Sequence, residues 1–272
     1  MTTGLLSLPS ELLLQILEYV VDNGPHAGLT SSVVPVSGHG GTSQTLTNSV
    51  LDPTYSSAAC LQILLVCRRL QEIFTKVAFQ RTVFVVPGGY CTSLTTFQPL
   101  QHHQLESLRS IILLFEPYRF GSMTSWKWPF NVEALHLDTL TIAFTHTSPG
   151  DPRASDQLTA QNTLELVRLL RKLEHVKRLR FMQNGTFANP SFRTWYSQLV
   201  GLVLKEDHYQ RYDASGGPHI ESTWWSWHFN AAEKSFEFVA RPVKAVVPEP
   251  SYMEMVAPLV AQLMSEMELA ST

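Results

Sequence analysis

The sequence predicts an α+β protein in which a helical N-terminal module precedes a larger domain of strands and helices. Three observations lead there. Apolar residues recur at helical spacing in two stretches, over residues 10 to 21 and 58 to 77. The apolar spacing LxxLxL appears three times between residues 108 and 181. Near the end, Trp225, Trp227 and Phe229 alternate with smaller or more polar neighbours, and Phe236 and Phe238 alternate likewise, as in a β-hairpin with an aromatic face.

The first helix opens at Leu8-Pro9-Ser10-Glu11, where proline is tolerated because first-turn amides have no partner, and Glu11 suits the positive end of the dipole. Leu13, Ile16, Leu17 and Val20 fall at i, i+3, i+4 and i+7, while Leu12 and Leu14 widen that stripe beyond what one small core needs. The excess calls for a second surface. Residues 23 to 57 are rich in Gly, Ser, Thr, Pro and His, hold neither period, and read as a flexible insertion. Helical order resumes with Ile63, Val66, Leu70, Ile73 and Val77 at steps of three and four. A strand over 82 to 86 follows, stopped by Pro87-Gly88-Gly89.

Beyond the glycine pair, Leu108-Ile111-Leu113, Val132-Leu135-Leu137 and Val176-Leu179-Phe181 share the LxxLxL spacing, and Asn184 follows the third at the next expected place. In leucine-rich repeats this pattern makes a strand, with the asparagine bonding the turn behind it. The intervals are irregular, so residues 87 to 241 read as degenerate leucine-rich-like strand–helix units, with a helix over 158 to 173. Leu199-Leu202-Leu204 matches the same spacing, but Phe192, Trp195, Tyr196, Leu199, Leu202 and Val203 share one helical face, which favours a helix. Residues 242 to 272 form a spacer stiffened by Pro242, Pro248 and Pro250, then an amphipathic helix carrying Tyr252, Met255, Leu259 and Met264, kinked at Pro258.

Composition narrows the function. With 272 residues, 44% hydrophobic and 16% charged, the chain holds enough apolar mass for a docking module and a larger domain. A net charge of −3 and a pI near 6.4 offer no long-range attraction to phosphate backbones or anionic lipid, so neither nucleic acid nor membrane is an expected partner. The start lacks a basic region followed by a long apolar run, and Cys60, Cys67 and Cys91 form no CxxC pair. A reducing cytoplasm or nucleus is the expected compartment, and the triplet Asn184-Gly185-Thr186 then carries no glycan. No cofactor and no metal are expected.

Leu8-Pro-Ser-Glu-Leu-Leu-Leu-Gln-Ile-Leu-Glu-Tyr-Val, followed later by Leu64-Leu-Val-Cys-Arg-Arg-Leu and Phe79-Gln-Arg-Thr-Val-Phe, together resembles the F-box. The resemblance covers residues 5 to 86, less the insertion at 23 to 57. It implies three short helices that pack on a Skp-family adaptor, and through it on cullin and RING subunits of a ubiquitin ligase, with the rest of the chain holding a protein target. By position it places Leu8, Pro9, Leu12, Ile16, Leu17, Val66, Cys67 and Leu70 against the adaptor. Two features depart from the family. The insertion replaces a short connection, which costs little because loop closure grows as the logarithm of length, about 0.6 kcal/mol per doubling. Leu70 stands where many members carry an aromatic residue. Farther on, Glu206-Asp-His-Tyr-Gln-Arg-Tyr-Asp and the Trp224-Trp225-Ser226-Trp227 cluster resemble fungal F-box proteins of unassigned target.

Arg168, Arg171, Lys172, Lys177, Arg178 and Arg180 form the one basic stretch. Such residues serve as a solvated face or, at Arg178 and Arg180, as a dock for an acidic or phosphorylated target segment, because arginine forks match phosphate oxygens. The Trp224, Trp225 and Trp227 cluster reads first as sheet core, because alternate aromatics bury against a helix, but one side of the hairpin must face outwards, which makes Trp224 a further target-contact candidate. Catalysis finds less support. His39-Gly40-Gly41 resembles an oxyanion loop but lacks a GxSxG elbow, and His102-His103 lacks partners at metal-ligand spacing. The alternatives are a binding scaffold that uses the same apolar helices internally, and a hydrolase built on Cys91 or Cys67 with a distant histidine.

Overall fold

The computed structural model describes residues 7–22, 29–36, 44–52, 55–87, 100–115, 132, 134–144, 160–183, 191–220 and 223–271. Helix α1 (Ser10–Asp22) begins where Pro9 places it, with the Leu13 amide donating to the Pro9 carbonyl at 3.1 Å. Leu13 and Leu17, one turn apart, are buried in a small helical core with Leu70 and Phe74. Each such leucine contributes roughly 1.5 to 3 kcal/mol of burial free energy.

Residues 23 to 57, expected as a flexible insertion, hold two strands instead. β1 (Leu29–Val36) and β2 (Gln44–Leu51) pair antiparallel from Leu29 opposite Leu51 to Val36 opposite Gln44, as a separate two-stranded sheet. Val33, Val34, Val36, Thr45 and Thr47 are β-branched types that favour extended backbone, which outweighs the loop-like Ser and Pro content.

The second helical stretch also differs from expectation, because it is three pieces rather than one. Helix α2 (Ser57–Cys60) is capped by the Ser56 hydroxyl, a 3-10 turn covers Gln62–Leu65, and α3 (Arg68–Arg81) starts after Cys67, whose backbone is extended. The breaks let one segment serve two cores. Ile63 and Cys67 pack on Leu13 and Leu17, whereas Leu61 packs on the main core and Leu64 touches both.

Strand β3 (Val83–Pro87) edges a six-stranded sheet of order β3-β4-β5-β6-β8-β7. β4 (Ser110–Phe115), β5 (Thr139–Phe144) and β6 (Arg178–Met182) continue it in parallel, while β8 (Ser235–Pro242) and β7 (Thr223–Asn230) close it antiparallel. The edge of β3 is covered by side chains. Tyr55 Oη donates to the Val83 carbonyl at 2.8 Å and accepts from its amide at 3.2 Å, and Ser57 Oγ bonds Val83 and Val85 in the same manner. Burial pushes the Tyr55 hydroxyl pKa up, helped by its contact with Cys60.

Register explains the main core. Val86, Leu113, Ile142, Phe181, Phe236 and Phe229 are successive cross-strand partners, so a single row of apolar side chains crosses the whole sheet. Among the described residues, helices α5 (Ala160–Leu170) and α6 (Ser191–His208) pack on this face, the latter ending in a π turn at Tyr209–Asp213. Phe181 stacks on Phe236 at 4.8 Å and meets Trp195 edge-on at 5.5 Å. The buried indole donors are satisfied, Trp225 by the Leu170 carbonyl at 2.9 Å and Trp195 by the Thr163 hydroxyl at 3.1 Å.

The second LxxLxL segment corrects the expectation of a strand at 132 to 137. Leu135 and Leu137 are buried, but they precede β5; Leu137 makes a lone parallel bridge to Val176, and the amides of Asp138 and Thr139 bond the Arg109 carbonyl. The spacing there marks entry to a strand rather than the strand. Asn184 lies outside the described residues. Helix α4 (His102–Leu105) is one short turn, and α7 (Glu249–Ser271) stays helical across Pro258, with Tyr252, Val256 and Leu263 buried. None of the described helices is long and apolar enough to cross a membrane.

Candidate docking and target faces

The two N-terminal segments meet in one helical core, which divides the eight residues expected to face an adaptor. Leu17 and Leu70 are enclosed in that core, so the expectation that they contact a partner is corrected. They support the platform from beneath. Leu8 and Cys67 are half-buried against the same core, and Arg69 Nη2 donates to the Leu8 carbonyl at 3.2 Å, tying α3 to the start of α1. Pro9 is exposed. Leu12 and Ile16 remain 45% and 41% exposed, and Val66 69%.

Sequence reasoning missed two further apolar chains. Leu65 is 84% exposed beside Val66, and Tyr19 is exposed one turn beyond Ile16. The signal was present for Tyr19, which continues Leu12 and Ile16 at i+7 on one helical face. Leu65 carried no such signal, because its orientation follows from the 3-10 turn.

The expected target face is corrected in part. Arg180 pairs with Glu233 and reaches Ser235 Oγ at 3.3 Å, and Arg178 Nε lies 3.5 Å from Glu237. Both partners come from the end of the hairpin and from β8, so an acidic target would have to displace a carboxylate already in place. Elsewhere in the basic stretch, Lys177 pairs with Asp138 at 2.6 Å and Arg171 donates to the His219 carbonyl at 2.9 Å. Trp224, expected to face outwards, is only 6% exposed and lies beneath Lys244, whose Nζ is 4.3 Å from the ring centroid. Burial lowers the Lys244 pKa.

A buried polar network escaped the sequence reading. Arg211 Nε bonds Asp207 Oδ1 at 2.8 Å, Tyr252 Oη donates to Asp207 Oδ2 at 2.6 Å, and Arg211 Nη1 reaches the Lys244 and Ala245 carbonyls at 3.3 Å. Tyr212 Oη adds a bond to the Val247 carbonyl at 2.9 Å. Burial raises the Tyr252 pKa, and the bond to Asp207 raises it further. The network fastens the spacer and α7 onto α6. Its i, i+4 Asp207–Arg211 spacing was the available signal.

Chemistry-bearing clusters are sparse. Among the described residues, no three His, Cys, Asp or Glu side chains gather as metal ligands would. His102 and His103 are exposed, with His102 Nδ1 3.3 Å from Glu106. Cys91 and His39-Gly40-Gly41 lie outside the described residues. Comparisons with protein-family models, curated proteins and solved structures return no match.

Proposed function

We propose that this chain is a non-catalytic substrate-recognition subunit of a cullin–RING ubiquitin ligase, docking through an F-box onto a Skp-family adaptor and presenting a protein target. One observation carries the reading: α1 and the distant segment 62–81 share a core while Leu12, Ile16, Leu65 and Val66 stay on its outside. That surface is larger than the module itself covers. The leucine-rich-like reading of the second domain draws on four neighbouring parallel strands, β3 to β6, with α5 and α6 on one face.

Magnitudes limit the interface. Covering the exposed fractions of those four chains gives about 1 to 2 kcal/mol each, against association costs of roughly 4 to 15 kcal/mol. The contact therefore has to extend over Tyr19, Leu8 and Pro9. The test is affinity purification of the tagged full chain followed by peptide identification. Recovery of Skp and cullin peptides is expected. Recovery of other proteins without them replaces the reading with a ligase-independent scaffold, and turnover of a chromogenic ester replaces it with a hydrolase.

A further inference from the structure

Beside the seam where α6 packs on α7 lies a half-open groove of about 380 Å³. Its α6 wall is a straight stripe, Ser197, Gly201, Lys205 and His208, spanning three turns and about 16 Å at 1.5 Å per residue. Its α7 wall carries Met253, Val260 and Met264, of which the two methionines are 48% and 59% exposed. Gly201 forms an open floor, since nothing lies within 4 Å of where a Cβ would stand.

Among the described residues that line the groove, none is a carboxylate. His208 is engaged by Glu249 at 3.1 Å and Asp213 at 3.4 Å, whereas Lys205 has no ion pair among the described residues. The walls also offer few hydrogen-bond partners, because Tyr252 is committed to Asp207. An extended peptide would leave its amides unmet there, while a helix satisfies its own. Flexible methionine rims suit a helix whose side chains need not match one fixed shape.

We propose that this groove binds an amphipathic helix, with apolar residues at i, i+3 or i+4, and i+7 laid between α6 and α7 and an Asp or Glu set against Lys205. That the helix belongs to the ligase's target rests on the receptor reading; the groove itself does not. The test displays a library of helical peptides of about 15 residues, enough for four turns, and selects binders on the full chain. Enriched peptides carry that apolar spacing and at least one carboxylate. Gly201→Leu, which fills the floor, and Met264→Asp, on the rim, each weaken their binding at least tenfold, and Lys205→Glu shifts selection towards basic peptides.

The proposal is overturned if no helical pattern is enriched, if the selected peptides bind both filled and rim variants as well as the parent, or if sodium dodecanoate occupies the groove and the peptides do not. A cooperative unfolding transition in each variant shows that it folds. Adaptor binding is measured on the same proteins. Failure of the parent chain to capture any peptide while it binds the adaptor removes the groove alone, and peptide capture by a parent chain that does not bind the adaptor removes the ligase reading alone.

Discussion

Replacing Tyr252 with phenylalanine keeps the buried ring and deletes only the hydroxyl that donates to Asp207 Oδ2 at 2.6 Å. The acceptor is a buried carboxylate, so the bond is of the charge-assisted kind and its loss should cost about 1.5 to 3 kcal/mol. Asp207 keeps Arg211 at 2.8 Å, which prevents a larger collapse. Arg211→Met is the harsher lesion, at about 3 to 5 kcal/mol, because it strands a buried charge. Urea unfolding followed by circular dichroism measures both, with the midpoint falling and the slope unchanged. The pH dependence supplies a sign test. Burial and Asp207 hold the folded Tyr252 pKa above the unfolded value of about 10, so its contribution is complete below that pH and is lost as pH rises beyond it. The gap between parent and Tyr252→Phe should narrow above pH ~10. A loss below about 0.5 kcal/mol at neutral pH, or a gap that widens in alkali, would show that the Tyr252–Asp207 bond does not stabilise the fold.

Further variants test other parts of the account. Leu17→Ala, in the helical core, should cost about 2 to 5 kcal/mol in urea unfolding, while Leu12→Ala, on the outside of the same helix, should stay within about 0.5 kcal/mol; equal costs would contradict the division of α1 into core and surface. Tyr55→Phe removes the Tyr55 part of the side-chain cover on the β3 edge and leaves that of Ser57, so the Val83 amide should exchange with deuterium faster and stability fall by about 0.5 to 1.5 kcal/mol; unchanged exchange would show that the edge is protected otherwise. Gly201→Ala, mid-helix with open space around it, should raise stability by about 1 kcal/mol. A loss there would mean that the groove floor is occupied.

Periodicity made α1, β3 and the aromatic hairpin legible, because each follows a single spacing, and it made α6 legible because six residues on one helical face outweigh the competing LxxLxL match. It could not show which edge of a wide apolar stripe turns inward. Leu13 and Leu17 face the core while Leu12 and Ile16 do not, and that choice depends on where Phe74 and Leu70 approach. The break at Cys67 was hidden because three- and four-residue steps continue through it. The β1–β2 hairpin was hidden by loop-like composition. Arg178 and Arg180 looked available because their carboxylate partners, Glu237 and Glu233, lie on or beside a strand whose register no local pattern announces. Trp224 looked outward by alternation alone, and only the later spacer brings Lys244 over its ring.

Calorimetric titration of the purified full chain with a purified Skp-family adaptor decides whether the N-terminal module docks. Saturable one-to-one binding is expected, and Leu12→Asp combined with Ile16→Asp abolishes it while circular dichroism is unchanged. Absence of binding by the parent chain, or equal binding by the double variant, contradicts docking through that module.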